Sequence, residues 1–144
     1  MSRRHYDIPN VRSLLSVVLG YVVMLVAALG GDVAFTALGS GPVPEPGGQP
    51  DAVYFVFHLG TGFFFLMIGG YVTALLAGNA ELKHALGLAA LSVTMCIVSM
   101  LEYAGDQPLW YSIALMFLSI PGSMIGGQFR ARQLGDGTVP VVIE

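Results

Sequence analysis

From residue 52 to residue 80 the chain reads AVYFVFHLGTGFFFLMIGGYVTALLAGNA, with no Asp, Glu, Lys or Arg and a single histidine, His58. A helix needs about 20 mostly apolar residues to cross the hydrocarbon core of a bilayer, so this run spans with residues to spare. Once its direction is set, three further apolar runs fall into place around it.

Composition agrees. Hydrophobic residues make up 55% of the 144 and charged residues 10%, against roughly 25% charged in soluble domains, and the mean hydropathy is +0.74. A soluble domain of this size would lack the polar surface to cover itself, whereas a bilayer removes that need. The 19 glycines suit a protein whose helices approach closely within the membrane. The one cysteine, Cys96, excludes an intrachain disulfide. A net charge of −3 and the lack of any basic-aromatic patch argue against nucleic acid as a partner.

The predicted fold is an all-α integral membrane protein, with four transmembrane helices in an up-down bundle over about 13–38, 53–77, 85–103 and 109–129. A polar head with Arg3, Arg4 and Arg12 precedes the first span. That span is too long for a secretory signal core, and more spans follow it, which argues against cleavage. Residues 39–52 form an outer loop in which Pro42, Pro44, Pro46 and Pro50 exclude a helix. The sequence GNAELKH (78–84) reads as a short turn that sets spans two and three side by side and antiparallel. Residues 104–108 form the second outer loop, and 130–144 a poorly ordered cytoplasmic tail. Pro121 lies inside span four and leaves the carbonyl of Phe117 without its usual donor. Ser119, Ser123 or a neighbouring helix is expected to compensate.

All six basic residues, Arg3, Arg4, Arg12, Lys83, Arg130 and Arg132, fall on one side of this arrangement. The positive-inside rule then puts both termini in the cytoplasm of a prokaryotic plasma (inner) membrane crossed several times. Glu45, Asp51 and Asp106 face outward. Tyr54, Tyr103, Trp110 and Tyr111 gather at the outer ends of spans two to four, where amphipathic rings sit at headgroup level.

Met67-Ile68-Gly69-Gly70 recurs as Met124-Ile125-Gly126-Gly127 at the same inner depth. The recurrence raises the alternative of two repeated up-down hairpins related by an axis along the membrane normal. GGYVTALLAG, LKHALGLA and PGSMIGGQFRAR together resemble a loose class of small four-span bacterial membrane proteins that carry Gly-Gly-aromatic segments at the inner ends of their even-numbered helices. The resemblance covers spans two to four. It implies the topology and a prokaryotic source, and supplies no catalytic residue. The small multidrug exporters also have four spans, but they carry a buried Glu in the first; here the acid is Asp32, near the outer end of its span.

A charge inside the membrane costs at least ~2.5 kcal/mol, so Asp32, His58 and Glu102, all toward the outer face, form the candidate polar cluster. If they converge, they can relay protons or hold a cation. The plainer expectation puts the two carboxylates at headgroup level and satisfies His58 with a hydroxyl or one carboxylate. Small residues at helical spacing mark expected helix contacts: Gly69, Gly70, Ala74 and Gly78 on span two, Gly122, Gly126 and Gly127 on span four, and Ser13, Ser16, Gly20, Ala27 and Gly31 on span one.

No P-loop, dinucleotide fingerprint, HExxH, CxxC or exposed Ser/His/Asp set occurs, so no enzyme, cofactor or metal site is expected. Two function classes remain. The favoured one is a structural or accessory component that packs with itself, as a homo-oligomer, or with a larger membrane complex. The other is a small proton- or cation-linked carrier or channel using the outer cluster, which four short helices seldom enclose alone.

Overall fold

The computed structural model describes residues 11–42, 50–78, 80–102 and 107–135. They form four helices, α1 (Val11–Ala37), α2 (Ala52–Ala77), α3 (Glu81–Glu102) and α4 (Leu109–Gly135). All four are long and apolar enough to cross a membrane. Arg3, Arg4, Glu45, Tyr103, Asp106 and the end of the tail lie outside the described residues.

The helix ends follow from local chemistry. After α1, Gly39 adopts φ 62°, and the N–H groups of Gly39 and Ser40 return to the carbonyls of Thr36 and Phe35 at 3.1 and 3.0 Å. This is the paired closure that a left-handed residue after a helix permits. Asp51 caps α2 by accepting from the Tyr54 N–H at 2.8 Å. Gly78 at φ 71° closes that helix, its N–H reaching the Ala74 carbonyl. A side chain at Gly78 would also meet the Arg12 guanidinium, whose Nε donates to the Leu76 carbonyl at 3.4 Å. A cation thereby sits at the negative end of α2.

Two boundaries differ from the sequence reading. α3 begins at Glu81 because the Ala80 carbonyl accepts the N–H groups of Lys83 and His84, so the turn is shorter than GNAELKH. α4 continues to Gly135, past the point where the apolar run stops. Helical hydrogen bonds outlast the hydrophobic stretch on both sides of the polar inner boundary. α4 is also continuous through Pro121. Neither expected serine relieves the Phe117 carbonyl: Ser119 donates to Leu115 at 2.7 Å, and the Ser123 hydroxyl has no partner.

Contacts fix the course of the chain as up-down-up-down. Arg12 at one end of α1 reaches the last turn of α2, while Gly31 near the other end faces Phe65, so the two helices are antiparallel. α2 and α4 run parallel, with Gly62 beside Leu115 and the Tyr71 hydroxyl donating to Gln133 at 2.9 Å. Among the described residues, α2 and α3 touch each other and both remaining helices, whereas α1 and α4 do not meet. The most extensive packing joins α2 to α4.

Small residues make that contact. A Cβ built on Gly126 would collide with the Met67 carbonyl oxygen and lie 2.7 Å from the Tyr71 nitrogen. One built on Gly70 would collide with the Ser123 carbonyl oxygen. Each glycine thus rests on the other helix's backbone, three residues before the other glycine. Gly69 turns instead toward Met24 on α1, and Gly127 toward Ala85 on α3. The repeated Met-Ile-Gly-Gly letters are therefore one residue out of step with the reciprocal contact. The first glycine of one copy and the second of the other share a role, which a simple duplication of the four letters does not give. Ala74 is fully buried, and Gly122 sits over Leu66. Of the small residues on α1, Ser16 and Gly20 are buried, and Thr73 occupies the space a Gly20 side chain would need.

Gly126→Ala is expected to destabilise the protein in detergent by ~1–3 kcal/mol, the cost of overpacking where the obstacle is backbone. Gly60, also within α2, has nothing within 4 Å of its missing side chain, so Gly60→Ala should be neutral or stabilising by up to about 1 kcal/mol. Thermal melts of the two variants check this, and equal melting temperatures would contradict the backbone contact.

Candidate functional site

The outer end of the bundle is built from rings. Phe55 is buried, with Tyr111 and Trp110 of α4 at centroid distances of 5.0 and 6.0 Å. Phe35 of α1 meets Phe57 edge-on at 5.2 Å, and Tyr54 stacks on His58 at 4.1 Å. His58 is therefore held from below by its own helix and from the side by Tyr54. Its Nδ1 donates to the Tyr54 carbonyl one turn back, at 2.9 Å, which places a proton on that nitrogen and turns Nε2 outward.

Nε2 faces Asp32 Oδ1 of α1 at 3.6 Å, the one ion pair among the described residues. That separation is too long for a direct hydrogen bond. A second proton on the ring turns the contact into an attraction between unlike charges, whereas a bare Nε2 presents its lone pair to the carboxylate. The side chains of His58 and Asp32 are 21% and 46% exposed, so the pair is partly solvated. His58 also stands between two small cavities. One, of about 170 Å³, includes Asp32, Thr36 and Tyr54; the other, of about 250 Å³, includes Pro50, Gln107 and Tyr111.

Of the three residues named from sequence, the structure brings Asp32 and His58 together and leaves Glu102 apart. Glu102 ends α3, is exposed, and makes no ion pair with a described residue. No group of three His, Cys, Asp or Glu side chains able to hold a metal occurs among the described residues. The site holds one carboxylate and one imidazole, without the second carboxylate that a divalent ion would want.

Sequence reasoning missed a matching contact at the inner end. There His84 Nδ1 lies 3.1 Å from the Ala80 carbonyl, again one turn back, and Nε2 meets the Ser13 hydroxyl of α1. α1 is thus pinned near both ends by a histidine of another helix, to α3 at the inner end and to α2 at the outer. The available signal was position: Ser13 and His84 stand at the starts of spans one and three, which the up-down course puts at the same end of the bundle.

Because both partners are partly solvated, a double-mutant cycle of Asp32→Asn and His58→Gln is expected to give a coupling of about 0.2–1 kcal/mol. Guanidinium-free unfolding in mixed micelles measures it. A coupling above about 3 kcal/mol would instead mark a desolvated pair.

Comparison with family models, with curated proteins and with solved structures returns no match.

Proposed function

We propose that this chain is a multi-pass protein of a prokaryotic plasma membrane with both termini in the cytoplasm. It serves as a non-enzymatic structural or accessory component that packs with itself or with a larger membrane complex. The observation that carries this reading is the closed inner half of the bundle. Gly70 on Ser123, Gly126 on Met67, Gly127 beside Ala85 and Gly20 under Thr73 bring the helices to backbone distance. Such close contacts favour a packing role over a carrier's.

α1 supports the same reading. It buries only Ser16 and Gly20 inside the bundle and shows Leu14, Val26, Leu29 and Val33 outward, a face suited to lipid or to another membrane helix. Orientation rests on charge. The described basic residues Arg12, Lys83, Arg130 and Arg132 lie on the helix ends that the up-down course gathers at one face, which the positive-inside rule assigns to the cytoplasm. A second reading, a small proton- or cation-linked carrier, draws on the Asp32–His58 contact and the cavities beside it.

Crosslinking in native membranes followed by electrophoresis in a mild detergent tests the proposal. The 15.2 kDa chain is expected to migrate with a partner or as a multimer. A monomer that acidifies or de-energises vesicles when reconstituted alone would favour the carrier. A reporter active only after export, fused behind Glu144, should stay silent; strong activity would reverse the orientation.

A further inference from the structure

A groove of about 290 Å³ runs along the seam between α2 and α4, and among the described residues none from α1, α3 or a loop lines it. Phe64, Met67, Ile68 and Tyr71 recur at helical spacing along α2 and form one wall. Phe129 and Gln133 stand on the other, and Gly126, where the two backbones meet, closes the floor. The rims are open to the surroundings, with Phe64 58% and Phe129 53% exposed. Phe64 stands at the middle of α2, a helix without Asp, Glu, Lys or Arg from end to end, so in a membrane this end of the groove meets hydrocarbon. The climb from Phe64 to Tyr71 is about 10 Å at 1.5 Å per residue, most of the roughly 15 Å of hydrocarbon in one leaflet.

The other end of the groove is polar, and its charge has one sign. Gln133 Oε1 accepts from the Tyr71 hydroxyl at 2.9 Å and from the Arg130 guanidinium at 3.4 Å. A guanidinium only donates, so the amide oxygen of Gln133 is the atom that faces it, and the amide NH2 is left as a donor on an exposed side chain. Neither α2 nor α4 contains an Asp or Glu, and Arg130 makes no ion pair with a described residue. An apolar groove that ends in a guanidinium without a carboxylate and in an amide donor complements a molecule with an apolar chain and an anionic head.

We infer that this groove seats an acyl chain of an anionic phospholipid from the leaflet on the Arg130 side. The acyl chain lies against Phe64, Ile68 and Phe129, and the headgroup phosphate accepts from Arg130 and Gln133. Tyr71, bonded to Gln133, holds that amide at the groove's polar end. The inference goes beyond the accessory role proposed above; it rests on the protein spanning a bilayer and not on that role.

Trp110 is the only tryptophan, so Trp110→Phe combined with Phe64→Trp moves the fluorophore to the mid-bilayer end of the groove, at a position exposed enough to take the larger ring. In vesicles of phosphatidylcholine brominated at mid-chain, lipid in the groove quenches that fluorophore, and unbrominated lipid mixed in relieves the quenching according to its affinity. Phosphatidylglycerol is expected to relieve it about fivefold more effectively than phosphatidylcholine does, the preference that one basic residue gives an anionic headgroup. Arg130→Gln should bring this ratio to about one while the brominated lipid still quenches, which shows the groove intact. Arg132→Gln makes the same change of charge on a different face of α4 and should leave the ratio as it was. A ratio near one in the parent would mean an unselective lipid annulus, and an equal fall in both arginine variants a diffuse surface potential; either would overturn the proposal. Little quenching by brominated lipid in the parent would mean that a second copy or another protein covers the groove, and would overturn it as well.

Discussion

The rest of the molecule depends on one contact, the meeting of two parallel helices at Gly70 and Gly126. Between apolar helices in lipid the hydrophobic effect offers little, since a lipid tail is as apolar as a leucine; what remains is close packing of backbone and small side chains. Each of these glycines lets the opposite helix lay a carbonyl where a side chain would stand. Because α2 also carries Gly69 toward α1, and α4 carries Gly127 toward α3, the same two turns bind the outer helices. The Gly-Gly pairs are two-sided: one residue faces the partner helix and its neighbour faces the preceding one.

From that layer the bundle is asymmetric across the membrane. On one side of it, Arg12 bonds to the last turn of α2 and Gln133 of α4 accepts from Tyr71 of α2, tying helix ends together. On the other side, the rings of Phe55, Trp110 and Tyr111 pack together and a cavity lined in part by Ser92, Ser99 and Ser112 lies among the helices. α1 is the least embedded helix, and histidine contacts hold it near its two ends.

Much of the architecture was legible because the bilayer forbids charge. Uncharged runs pointed to four apolar helices, and the structure has four helices long and apolar enough to cross a membrane. Where charge was used to end a helix it misled, since Glu81, Lys83 and Arg132 are helical in the polar boundary. There, backbone hydrogen bonding continues and side-chain hydropathy no longer matters. The glycines were legible as contacts but not as pairs, because a one-residue step turns a helix by about 100° and separates Gly69 from Gly70 onto different neighbours. Asp32 and His58 were named, yet only the tertiary fold decides that they meet and that Glu102 does not. That the Ser92 hydroxyl is buried and unpaired is a property of the fold around it, which no spacing records.

The central claim is a sealed inner layer beneath an open outer cavity, and cysteine accessibility along one helix tests it most directly. In a Cys96→Ala background, Ser112→Cys and Ser123→Cys place single thiols on α4, one on the cavity wall and one in the glycine layer. N-ethylmaleimide in intact vesicles should label the thiol at 112 readily and the one at 123 far more slowly, with labelling at 123 appearing only after unfolding. Equal labelling rates in the folded protein would contradict the account.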